Sequence, residues 1–127
     1  MNFQSLPTDS KSILAMTWQD YEPYFNDLAS RDLNASNVEA WLDDWSTLSC
    51  CVDEQFTRLQ VLTSQYTADE SIQKQFEAFI DQIQSAARAA DQKVKEKLLA
   101  SGLRPKGFEV AQKMMQTEAE TFRESNL

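Results

Sequence analysis

Between Ser36 and Gln65 the apolar residues Val38, Trp41, Leu42, Trp45, Leu48, Val52, Phe56, Leu59 and Leu62 recur, mostly at steps of three and four. That spacing lays them along one face of a helix. The run contains neither Gly nor Pro. Its opening, Ser36-Asn37-Val38-Glu39, carries a start signal: Ser36 can accept from the free amide three residues on, and Glu39 can reach back. Val38, Trp45, Val52, Leu59 and Tyr66 are seven apart, with Trp41, Leu48 and Leu62 between them. This is a coiled-coil-like seam whose one polar gap is Gln55. Two long helices packed in a bundle account for it more simply than a dedicated dimerisation zipper.

A second long run follows after a short connection. Thr67-Ala68-Asp69-Glu70 reads as another capping box. Ile72, Phe76, Phe79, Ile80, Ile83, Ala87, Ala90, Val94 and Leu98 then line one face. Ala86, Ala87, Ala89 and Ala90 are small enough for a close helix approach. Lys93, Lys95 and Lys97 suit the negative end of the helix dipole, and Gly102 is a natural stop. The short connection makes the two long helices an antiparallel hairpin.

Two shorter helices flank them. Thr17, with Asp20 three residues on, caps a run in which Trp18, Tyr21, Phe25 and Leu28 share a face. Pro23 fits a first turn but removes an interior hydrogen bond. The helix therefore starts near Asp20, or starts at Trp18 and kinks; both versions bury Trp18 and Phe25, and both end near Arg31. Past the loop Leu103-Arg104-Pro105-Lys106-Gly107, the residues Val110, Ala111, Met114, Met115, Ala119 and Phe122 mark a last helix, with the methionines as core filler. Residues 1–16 form an arm of turn or extended structure around Leu6-Pro7-Thr8-Asp9-Ser10. Ile13, Leu14 and Met16 can pin it to the bundle; otherwise it is flexible. The fold class is all-α: a long helical hairpin with two shorter helices packed on it, near 18–31, 36–65, 68–101 and 109–125. A thirty-residue helix is about 45 Å long, against a radius of gyration of about 14 Å for a compact chain of this size. The hairpin should protrude and keep apolar surface for a partner, either the rest of a longer chain or a second copy. The helical pattern still running at Asn126-Leu127 adds the expectation of a piece from something longer.

Composition narrows the function. The 127 residues make one domain with few turns, having two glycines and three prolines. A net charge of −8 and a pI of about 4.4 disfavour nucleic acid and anionic membrane surfaces. The N-terminus lacks the basic run and apolar core of a signal peptide, and no apolar stretch approaches a membrane span. Cys50 and Cys51 are adjacent on the helix, about 100° apart, so they cannot readily pair. They read as reduced thiols of an intracellular, cytoplasmic protein. Cys51 flanks the apolar stripe and Cys50 faces away.

Chemistry is sparse. Histidine is absent, which removes the commonest metal ligand and the usual general base. Asp43, Asp44, Asp53, Glu54, Asp69, Glu70, Glu118 and Glu120 include adjacent pairs, but most fall on helix faces opposite the stripe and read as a solvated surface. There is no Gly-rich phosphate loop, no Gly-x-Ser-x-Gly elbow and no Cys-His pair.

Trp18-Gln19-Asp20-Tyr21-Glu22-Pro23-Tyr24-Phe25 and Val38-Glu39-Ala40-Trp41-Leu42-Asp43-Asp44-Trp45-Ser46-Thr47-Leu48-Ser49 resemble the N-terminal segment of the oligoendopeptidase F and thimet oligopeptidase family. Tyr66-Thr67-Ala68-Asp69-Glu70, Lys95-Glu96-Lys97-Leu98-Leu99 and Glu120-Thr121-Phe122-Arg123-Glu124-Ser125-Asn126-Leu127 add weaker matches. The resemblance runs from about Trp18 to the end, and Trp-Leu-x-x-Trp-Ser is its most specific part. It implies a zinc metallopeptidase that cuts short peptides, with two helical lobes around a deep channel. In that family the zinc sits on a His-Glu-x-x-His helix plus a downstream Glu, all in the C-terminal half. This chain has none of that half, so no catalytic, cofactor-binding or metal-ligating residue carries over to it. The implied role of residues 17–127 is to wall the channel and restrict access, with the C-terminal catalytic part as partner and short peptides as the parent's substrates. Self-association of the isolated segment is a further expectation. The alternative is a free-standing helical module that binds a partner helix.

Overall fold

The computed structural model describes residues 1–65 and 69–104. Among them every regular element is a helix: a 3₁₀ turn Phe3–Ser5, then α1 (Ser10–Leu14), α2 (Trp18–Ser30), α3 (Val38–Gln65) and α4 (Glu70–Ser101). The all-α class and the long hairpin stand as expected. The helix expected at 109–125 lies outside the described residues, as do Tyr66, Thr67, Ala68, Glu118 and Glu120. The two shorter helices seen on the hairpin are α1 and α2.

Residue numbers on α3 and α4 run in opposite senses. Trp45 meets Asp91, while Gln60 and Thr63 share a recess with Glu77 and Asp81. The seam is buried at Val38, Trp41, Trp45, Leu48, Val52 and Leu59, facing Ile83, Ala87, Val94 and Leu98. Towards the connection the packing thins. Leu62, Ile72, Phe76, Phe79 and Ile80 are half-buried, and Val61 is 52% exposed. The core thus closes over the half of the hairpin that α1 and α2 cover.

Local starts follow the sequence with two corrections. At α2 the start is Trp18, with a full capping box: the Asp20 amide donates to Thr17 Oγ1 at 3.4 Å, and the Thr17 amide to Asp20 Oδ2 at 2.9 Å. The helix runs through Pro23, so the Gln19 carbonyl loses its ring-closing partner. At α3 the cap expected from Ser36 comes instead from Asn34. Its Oδ1 accepts from the Ser36 amide at 2.9 Å and the Asn37 amide at 3.1 Å, and also from the Ser36 hydroxyl. Ser36 therefore donates to the turn rather than capping it. At α4 the cap is Asp69, whose Oδ1 accepts from Ser71 and Ile72. Asp69 sits directly before the helix.

The residues expected as an arm are built into the core. Phe3, Leu6 and Ile13 are buried, and Asp9 caps α1 by accepting from the Ser12 amide at 3.0 Å. That bond holds the Asp9 carboxyl below its ordinary pKa. The apolar positions here are too short a pattern to show a face, so periodicity could not find them.

Gly102 closes α4 in the left-handed region, φ 69°, with its amide on the Leu99 carbonyl. A Cβ there would meet nothing within 4 Å. Gly102→Ala should therefore cost only the backbone term, about 1 kcal/mol in a urea titration.

Candidate functional site

The C-terminus of α2 is where the three main helices lock. A helix leaves its last carbonyls without internal partners, and α2 has no basic residue in its last turn. Two side chains from elsewhere serve it. The Trp41 indole N–H of α3 donates to the Leu28 carbonyl at 2.9 Å. The Lys97 ammonium of α4 donates to the Ala29 carbonyl at 3.0 Å. Lys97 does suit a helix dipole, but it is that of α2. Arg31, just past α2, reaches Asp27 and, at 2.8 Å, Asp44 on α3, and lies 5.6 Å from the Phe3 ring centre. Burial lowers its pKa somewhat; the bonds to Asp27 and Asp44 outweigh that and raise it.

A second knot lies inside. Gln55, the polar gap of the seam, is fully buried, as is Tyr21 of α2. The Tyr21 hydroxyl donates to Gln55 Oε1 at 2.9 Å, and Gln55 Nε2 donates to the Met16 carbonyl at 2.6 Å and the Leu14 carbonyl at 3.5 Å. Cys51 is buried beside them, Sγ 3.9 Å from the Tyr21 hydroxyl. Burial pushes the Cys51 thiol up, and burial together with Cys51 pushes the Tyr21 hydroxyl up. Both stay neutral at physiological pH, so neither is a nucleophile there. The knot fixes the α1–α2 connection onto α3.

The carboxylates divide. Asp43, Asp53, Glu54 and Glu70 are exposed, as a solvated face requires. Asp44 departs from that reading, being half-buried under Arg31, and Asp69 is spent on its cap. Among the described residues no group of three His, Cys, Asp or Glu could hold a metal ion. None of their helices is long and apolar enough to cross a membrane.

A recess with an aromatic wall lies between α2 and α4. It encloses about 400 Å³ and is lined by Trp18, Glu22, Phe25, Asn26, Ala29, Ala86, Ala89, Ala90 and Lys93. Trp18 was expected to be buried; it is half-exposed on this groove, with Nε1 donating to Glu22 Oε2 at 2.7 Å and its ring 5.6 Å from Phe25. The alanines form the opposite wall, and only Ala87 of that run is buried. Its lining sets one carboxylate, Glu22, and one ammonium, Lys93, among aromatic and alanine side chains. Sequence reading missed it, because the alanine run signals a close approach without saying which helix approaches.

The model of the Peptidase M3 N-terminal domain matches residues 13–124. No curated protein and no solved structure matches the chain. Since the family match takes in the end of α1, all of α2 and the whole hairpin, well over half of the sequence, the chain belongs to the Peptidase M3 N-terminal domain family.

Proposed function

We propose that the chain is the N-terminal helical domain of an oligoendopeptidase-type zinc metallopeptidase, where it walls the substrate channel and restricts access to short peptides. The family match carries the reading. The action is steric. Helices locked at the end of α2 and along the seam form a wall that yields little, and a folded protein would have to displace it to enter. An extended short peptide would not. The half-buried apolar residues of the hairpin near its connection then pack against the catalytic part of the parent. A cytoplasmic location belongs to the same proposal, and the free thiols Cys50 and Cys51 suit a reducing compartment.

Zinc does not fit the residues present. A catalytic site takes about three protein ligands with one position open. The chain has no histidine, and its two cysteines diverge on α3, one exposed and one buried. The metal and the group that activates water belong to the remainder of the parent, and this chain supplies no step of the reaction.

Two measurements test this. The purified chain, dialysed against micromolar zinc, is expected to retain no stoichiometric metal and to leave a quenched fluorescent peptide uncut. Stoichiometric zinc with chelator-sensitive cleavage would overturn the assignment. Reading the coding sequence past Leu127 should reach an in-frame His-Glu-x-x-His motif. A stop codon directly after Leu127 would instead favour the free-standing interaction module.

A further inference from the structure

The first fourteen residues are held to the hairpin in two distinct ways. Their C-terminal part, α1, is secured from within. Asp9 caps it, Ile13 is buried, and the buried Gln55 amide donates to Leu14 and Met16. Upstream of Asp9 only Phe3 and Leu6 are buried. The side-chain polar ties of that stretch to α2 lie at the surface: Ser5 to the Tyr24 hydroxyl at 3.0 Å, and the Met1 ammonium to Asp27 at 4.0 Å. Phe3 and Leu6 join the common core, but α2, α3 and α4 are also tied to one another directly, through Trp41 to Leu28, Trp45 to Asp91 and Lys97 to Ala29. The family segment begins at Ile13, so these upstream residues lie wholly outside it. Beneath them sits Cys51, its Sγ 3.9 Å from the Pro7 carbonyl, while Cys50 on the same helix is exposed.

We propose that Met1–Thr8 is a strap that opens as a unit at the Thr8–Asp9 junction while α1–α4 stay folded, uncovering the apolar seat of Phe3 and Leu6 and the Cys51 thiol. Lifting two apolar side chains costs far less than opening the whole core, so the strap-open state is populated well before global unfolding. The seat it leaves is chemically defined. Arg31 lies against the Phe3 ring, and Tyr24 meets that ring edge-on with centroids 5.1 Å apart. Closing returns an aromatic side chain to that cationic and aromatic corner. Cys51 therefore reports on the strap, and Cys50 does not.

The test follows iodoacetamide labelling of Cys51 in the full-length chain carrying Cys50→Ser. The labelling rate should change less than about twofold between zero and about 1 M urea, because strap opening exposes little surface. Phe3→Ala should raise the rate at least about tenfold with the far-ultraviolet helical signal unchanged. Leu6→Ala should act in the same direction, and serves if the Phe3 variant does not fold. Val94→Ala weakens the α3–α4 core away from the strap. It should lower the urea midpoint yet leave the rate in water within about twofold. A Cys51 rate that climbs steeply with urea from zero would overturn the proposal. So would acceleration by Val94→Ala equal to that by Phe3→Ala.

Discussion

Trp41→Ala is expected to lower the free energy of unfolding by about 3–5 kcal/mol in urea denaturation followed by circular dichroism. Trp41 is 0% exposed, with its ring 5.5 Å from that of Trp45. Truncation removes the largest fully buried side chain and leaves a cavity between α2 and α3. It also strips the Leu28 carbonyl of its donor at a helix end with no basic residue in its last turn. A domain of this size has about 5–15 kcal/mol in total, so this one change takes a large share. Trp45 provides the contrast. It is 8% exposed and its indole N–H goes to Asp91 at the edge of the core. Trp45→Phe keeps most of the apolar area and loses one bond, so about 1 kcal/mol is expected. A loss below about 1 kcal/mol for Trp41→Ala would contradict its burial.

Gln55→Leu is expected to destabilise by roughly 2–5 kcal/mol even though Leu suits the seam better. The reason is what it orphans. The fully buried Tyr21 hydroxyl and the part-buried Met16 carbonyl lose their Gln55 partner. Adding Tyr21→Phe removes one orphan, so the double variant should be more stable than the sum of the single changes by about 1 kcal/mol or more. Additivity within about 0.5 kcal/mol would mean that the two side chains are not bonded. The same knot sets an alkaline limit. Tyr21 and Cys51 hold their protons more tightly in the fold than their ordinary values of 10.0 and 9.0. Groups raised in this way contribute fully below the unfolded value, and the contribution is lost as pH rises towards the folded one. Stability should therefore fall above about pH 9, and Cys51→Ala should remove the earlier part of that decline.

The stripe from Val38 to Leu59 was legible because an amphipathic helix writes its buried face into its own spacing. Gly102 and the Thr17–Asp20 box were legible because caps act over three or four residues. Asn34 shows the limit even there. Ser36 and Asn34 both have side chains able to cap, and only the turn geometry decided between them. The groove beside Trp18 was less legible still. A tryptophan at helical spacing reads as core, yet its place on the wheel does not tell how far the neighbouring helix reaches. The family resemblance seen in Trp18–Phe25 and Val38–Ser49 was borne out by the match over residues 13–124.

Taken alone, the sequence determined that this chain is helical, where its two long helices run, which face of each is buried, and that no histidine chemistry is available to it. All of these are local or compositional properties. Only the tertiary structure decided that Gln55 is an anchor rather than a flaw, that Lys97 serves the end of α2, and that Phe3 and Leu6 belong to the core. Tyr21 and Gln55 are 34 positions apart, and Lys97 and Ala29 are 68. A hydrogen bond depends on the approach of two atoms. Separation along the chain carries no measure of that approach until the helices have packed.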